Sequence, residues 1–182
     1  MTEVKLNSER LLAIDAFKLL NEMVGDLTVA SRLPELPKHK NFQKIFKDSP
    51  RVVRIMEKIC DMIMVITLVK FLEWDRAFSR LLSDVGRNES RELARDIERK
   101  KIKPLRDKVV VHVIDRNTNA PLTYDEKEKL FKDCGFESVD SFCDWVKSRC
   151  TPTLESVRTS ILQKYSLEEN EIFSKEKEGM NK

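Results

Sequence analysis

The sequence predicts an all-α protein, a helical bundle around one long central helix. Three observations lead there. Glycine numbers four and proline six among 182 residues, far too few for a β-sandwich or barrel, which needs a turn signal every ~8–12 residues. Apolar residues recur at helical spacing along most of the chain. Between Pro50 and Gly86 neither breaker occurs. A chain of this length suits one domain, and it buries about two-thirds of its unfolded surface without disulfides or metal.

Residues 8–31 form the first expected helix. Leu11, Leu12, Phe17, Leu19, Leu20, Met23, Val24 and Leu27 recur at helical spacing, with Glu9, Arg10, Asp15, Lys18 and Glu22 between them; Ser8 or Asn7 supplies the cap. Residues 32–48 are a connection, because Pro34 and Pro37 cannot both lie inside a helix; a short helix fits at 41–46. Asp48-Ser49-Pro50 then reads as a cap followed by proline at the first helical position. The helix it opens, 50–83, is about 50 Å long at 1.5 Å per residue. Residues 59–72 are apolar nearly all round, so neighbours are expected on every side, with Ile63, Ile66, Leu68, Phe71 and Leu72 in the core. Gly86 and Asn88 mark a break. Residues 89–101 make a charged helix anchored mainly by Leu93 and Ile97, two residues that hold it only loosely.

Pro104 opens or bends the next segment. Residues 105–114 contain Val109, Val110, Val111 and Val113, a β-branched run that suits a strand by propensity; helix is expected because no other segment offers a sheet partner. A turn covers 116–122. Thr123 and Glu126 have capping-box spacing and open a helix over 124–134, stopped by Gly135. Ser138 or Asp140 begins a helix to 148, and Thr151-Pro152 begins another to 165. The chain beyond Leu167 is rich in Glu, Lys, Asn and Ser and is expected to fray. The expected organisation is a bundle over residues 1–116, a helical extension packed on it over 117–167, and a flexible tail over 168–182.

Composition narrows the function. The net charge is +3 although 36% of residues are charged, so no strong nucleic-acid field arises from the total. The longest apolar run, residues 62–69, is far shorter than the ~20 residues of a membrane span. No export leader is read at the start, so a cytoplasmic setting and reduced thiols are expected for Cys60, Cys134, Cys143 and Cys150. Four glycines leave no G-x-G-x-x-G, P-loop or G-x-S-x-G, which argues against nucleotide-dependent enzymes. Cys134, Cys143 and Cys150 with His39 or His112 have no zinc-ligand spacing, and no cysteine is paired with a base, so no metal or cofactor is expected. His39, between lysines in a proline-rich connection, reads as a solvated residue.

His112 is placed differently. It ends the run Leu105-Arg106-Asp107-Lys108-Val109-Val110-Val111-His112, after Arg99, Lys100, Lys101 and Lys103. This run resembles the signature of HEPN domains: an Arg with a polar neighbour, then a His after four to six intervening residues, here five. Arg32 and His39 have similar spacing, but two prolines between them forbid a helix. The setting, a long apolar helix, a charged helix and then the motif helix, is also similar, and the abortive-infection branch of that superfamily is the nearest in pattern. The resemblance covers roughly residues 50–116. Many members have a small residue before the His, where this chain has Val111.

The resemblance implies a metal-independent endoribonuclease, a toxin or phage-defence effector whose partners are RNA, a second copy of the chain, and an antitoxin or other protein. Arg106, Asp107 and His112 would be its catalytic residues, with Lys101, Lys103, Lys108 and Arg116 binding RNA. The chemistry is coherent. The RNA 2′-OH attacks the adjacent phosphorus, His112 moves the proton near neutral pH, and the Arg106 fork stabilises the phosphate charge. On a straight helix, six residues separate Arg106 and His112 by about 120° of rotation and about 9 Å of rise, so two chains side by side complete a site more readily than one. The alternative is a non-catalytic helical module that binds RNA or a protein.

Overall fold

The computed structural model describes residues 3–109, 123–170 and 172–173. All regular structure among them is helical, as expected. The order is α1 (Glu3–Arg32), a 3₁₀ turn (Leu33–Lys38), α2 (Lys40–Lys47), α3 (Pro50–Phe78), a second 3₁₀ turn (Ser79–Leu81), α4 (Asp84–Arg99), α5 (Ile102–Val109), α6 (Tyr124–Asp133), α7 (Val139–Trp145), a π turn (Val146–Cys150) and α8 (Thr151–Tyr165).

α3 is the organising helix. α1 runs antiparallel along one flank, tied to it by the Trp74 Nε1–H, which donates to the Ala16 carbonyl at 3.0 Å in a buried setting, and by Thr67 Oγ1 to Asp26 Oδ2 at 3.4 Å. α4 returns along the other flank, where Ser90 Oγ donates to Asp75 Oδ1 at 2.5 Å and Arg76 pairs with Glu98 at 3.3 Å. α8 packs on α1 and α4, and α5 packs on α3. Leu154, Val157 and Ile161 of α8 share one core with Phe17 and Leu20 of α1, Leu68 and Phe71 of α3, and Leu93 and Ile97 of α4. The segment read from sequence as an extension therefore contributes to the same core as the first helices. Beyond α8 the chain is held at Ile172, which is buried, and at Phe173, whose ring lies 6.1 Å from that of Phe17, where fraying was expected.

Four local expectations are corrected. Gly86 does not break the chain; it lies in the first turn of α4, capped by Ser83, whose Oγ accepts from the Gly86 amide at 3.2 Å. It is glycine because α8 sits there: a Cβ on Gly86 would stand 2.3 Å from Ser160 Oγ. Leu93 and Ile97 are fully buried, so two anchors do seat α4. Thr151-Pro152 does not start a separate helix; the chain stays helical through the π turn, and Thr151 makes no capping bond. The wide π turn accommodates a proline ring that would otherwise crowd the carbonyl four residues back. Finally, Ile63 and Ile66 are only half-buried, whereas Leu68, Phe71 and Leu72 are buried as expected.

Candidate functional site

α5 is a short helix held by two apolar anchors, Ile102 and Leu105, both buried. Its start is set by Lys101, whose φ of 55° places it in the left-handed region. This ends α4, with the Lys101 amide donating to the Glu98 carbonyl at 3.0 Å, and redirects the chain into α5. At 100° per residue, Arg106 borders the anchored face, Lys103 and Asp107 lie outward from it, and Lys108 lies on the opposite flank. Lys101, Lys103 and Lys108 are exposed and form no ion pair with a described residue.

Arg106 and Asp107 meet. Arg106 Nε and Nη2 both donate to Asp107 Oδ1, at 2.9 and 2.7 Å, with the arginine side chain 32% exposed. This fixes the guanidinium at the edge of α5 and offsets part of its charge. The other cations upstream are also engaged: Arg99 pairs with Asp96 at 2.7 Å, and the Lys100 ammonium sits 4.0 Å from the Phe136 ring centroid. Of the six cations expected across residues 99–108, three are thus left facing solvent. His112 and Arg116, with the rest of residues 110–122, lie outside the described residues, so the distance between Arg106 and the imidazole is not defined here.

The cysteines do not form a site. All four are buried and free. Burial raises every thiol pKa, that of Cys143 to about 12, with Asp61 nearby adding to the rise. A thiol held protonated is a poor nucleophile and a poor ligand. Among the described residues, no three His, Cys, Asp or Glu side chains gather to hold a metal ion, and no helix is long and apolar enough to cross a membrane.

Sequence reasoning missed one charged feature. Asp61, in the buried part of α3, forms an ion pair with Lys127 of α6. Burial raises its carboxyl pKa, opposed by the lysine. A lone Asp between Cys60 and Met62 in an apolar run was the available signal. No family model, no curated protein and no solved structure matches this chain.

Proposed function

We propose that this chain binds RNA along α5 and cleaves it without metal, Arg106 neutralising the phosphate and His112 transferring the proton, at a site completed by two copies of the chain. The observation that carries the reading is the Arg106–Asp107 arrangement. An arginine fork is anchored on a short helix by a neighbouring carboxylate, beside exposed Lys101, Lys103 and Lys108. A phosphodiester meets there both a planar donor group and cations that no described residue pairs. Lys108 lies round the helix from Lys103 and Arg106, so one copy does not gather all of them against one phosphate. In this reading the chain is a toxin or defence effector, and an antitoxin or other protein would act by covering α5.

The same contact also favours a second reading, binding without cleavage, because Asp107 already satisfies part of Arg106. The test is cleavage of a labelled single-stranded RNA in EDTA by the wild type, Arg106→Ala, His112→Ala and Asp107→Ala. Catalysis predicts cleavage that survives the chelator, falls about 10²-fold or more in the first two variants, and falls also in Asp107→Ala, which loses the positioning carboxylate. Mere binding predicts no cleavage by any of them and tighter RNA binding by Asp107→Ala. Cleavage lost in EDTA and restored by Mg²⁺ would overturn the proposed chemistry.

A further inference from the structure

α2 is amphipathic, yet no described residue covers its apolar side. At 100° per residue, Phe42, Ile45 and Phe46 fall within about 100° of one another, and Lys40, Lys44 and Lys47 gather within about 60° on the opposite side. No residue of the helix is buried; Phe42 is 39% and Ile45 64% exposed. Two turns are too short to stand as a helix by propensity alone. α2 is seated by one edge, where half-buried Phe46 borders a hollow of about 530 Å³. Pro37 of the 3₁₀ turn and Pro50 and Val53 of α3 make the rest of its apolar wall, and Lys47 and Arg54 supply two cations.

Charge collects at the same corner. Between residues 38 and 54, Lys38, Lys40, Lys44, Lys47, Arg51 and Arg54 stand against Asp48 alone, a net +5 in a chain whose total is +3. All six cations are exposed, and none is in a salt bridge with a described residue. Val52, Ile55 and Ile59, also exposed, lie on the other side of α3 from the hollow and take no part.

We propose that the α2–α3 corner docks on an anionic lipid bilayer, with α2 lying in the plane of the interface, Phe42 and Ile45 entering the hydrocarbon boundary, and Lys47 and Arg54 receiving a lipid phosphate at the hollow. A helix with lysines on one side and Phe and Ile on the other is suited to that position, and lysine stems are long enough to reach headgroups from it. The other occupants satisfy only part of the surface. A nucleic acid would neutralise the cations and leave Ile45, which has no ring to stack on a base, in water. A peptide seated in the hollow would meet Phe46 and not Ile45, about 100° round the helix. A second copy of the chain would bring +5 against +5. A bilayer supplies hydrocarbon for the exposed side chains and fixed negative charge for the lysines, each cation near such a surface strengthening binding about fivefold. The contact lies on the membrane and does not cross it, since no described helix is long and apolar enough to do so.

Co-sedimentation with vesicles tests the docking, comparing phosphatidylcholine alone with phosphatidylcholine and phosphatidylserine in equal parts. The wild type should pellet with the mixed vesicles and stay in solution with the neutral ones. Ile45→Ser, at an exposed position, should keep its helical circular dichroism and melting temperature and bind about tenfold more weakly or worse. Lys44→Gln and Lys47→Gln should each lose about fivefold, and Arg106→Ala, on α5, should lose nothing. An environment-sensitive dye on Ile45→Cys should shift to the blue on mixed vesicles, because that side chain leaves water; the native thiols, all buried, take up little label. A wild type that ignores the mixed vesicles, an unshifted dye, or equal binding by Ile45→Ser would each overturn the proposal. So would an Ile45→Ser change that instead weakens binding to single-stranded RNA or an acidic peptide, or that dissociates a dimer in the absence of lipid. The docking uses no residue of α5, so its failure leaves the proposed RNA chemistry intact, and failure of RNA cleavage leaves the docking intact.

Discussion

Asp61 shows how one side chain makes stability depend on pH. Its carboxyl is buried in α3, and burial raises its pKa from the usual 3.8 while Lys127 pulls it down. A carboxyl whose folded pKa is raised contributes stability that is complete below the unfolded pKa and is lost as pH rises through the folded value. Replacing Lys127 by Met removes the lowering influence and leaves the carboxylate without its ion-pair partner. Lys127→Met should therefore destabilise the fold at pH 7 by about 3 kcal/mol, the scale for breaking a buried pair. It should recover much of that loss towards pH 4, where wild type gains less; urea unfolding at several pH values measures both. Gly86 is the second telling residue. A methyl there meets Ser160 Oγ at 2.3 Å and Cβ at 2.8 Å. Gly86→Ala should cost about 1–3 kcal/mol through overpacking, even though alanine is the better helix former. Adding Ser160→Gly should give a favourable coupling energy in a double-mutant cycle.

At the scale of the element, α3 separates what periodicity conveys from what it does not. Its apolar middle led to an expectation of core positions at Ile63, Ile66, Leu68, Phe71 and Leu72, and the last three are buried. Ile63 and Ile66 are only half-buried, Ile63 packing against the edge of the core. Leu68→Ala should accordingly cost about 2–5 kcal/mol, and Ile66→Ala clearly less when unfolding is followed at concentrations where the chain is monomeric. Equal costs would mean that Ile66 is as enclosed as Leu68. The caps of α6 and α7, by contrast, were legible, whereas Ser49 makes no side-chain capping bond and Asn7 and Ser8 lie inside α1. Thr123 and Glu126 form the expected capping box, and Ser138 caps α7 with Ser141 as its reciprocal partner. Capping depends on residues three apart, so a short window of sequence contains it. The start of α4 was not legible, because Gly86 usually reads as a breaker and only its closeness to Ser160, 74 positions along the chain, explains it.

For the whole molecule, charge placement counts for more than net charge. The formal balance of +3 conceals three exposed lysines, Lys101 just before α5 and Lys103 and Lys108 on it, and a cleft between α1 and α3 where Glu22, Asp26 and Glu73 outnumber Lys70. If these lysines bind RNA and two copies of the chain complete the site, salt should separate the two interactions. RNA affinity should fall steeply between low and physiological ionic strength, since each neutralised phosphate releases counterions. Self-association should change little, because apolar burial supplies most of it. Filter binding and sedimentation over the same salt series measure both. Parallel losses would mean that charge pairs, not apolar contacts, hold the two copies together.

By itself the sequence determined that this protein is helical, where α3, α6 and α7 begin, and that Arg106 and Asp107 share one helix. Those properties come from breaker scarcity, 3.6-residue periodicity and caps, all of which act within a few residues. Only the tertiary structure decided that Asp107 closes on the Arg106 fork, that Lys100 lies on Phe136, that α8 shares the core of α1, and that Val52, Ile55 and Ile59 of α3 stay about half exposed. The physical reason is the same in each case. A helix apolar on every side, or a run of six cations, is compatible with many arrangements of neighbours. Which face is covered and which charge is paired depends on side chains brought close from distant parts of the chain.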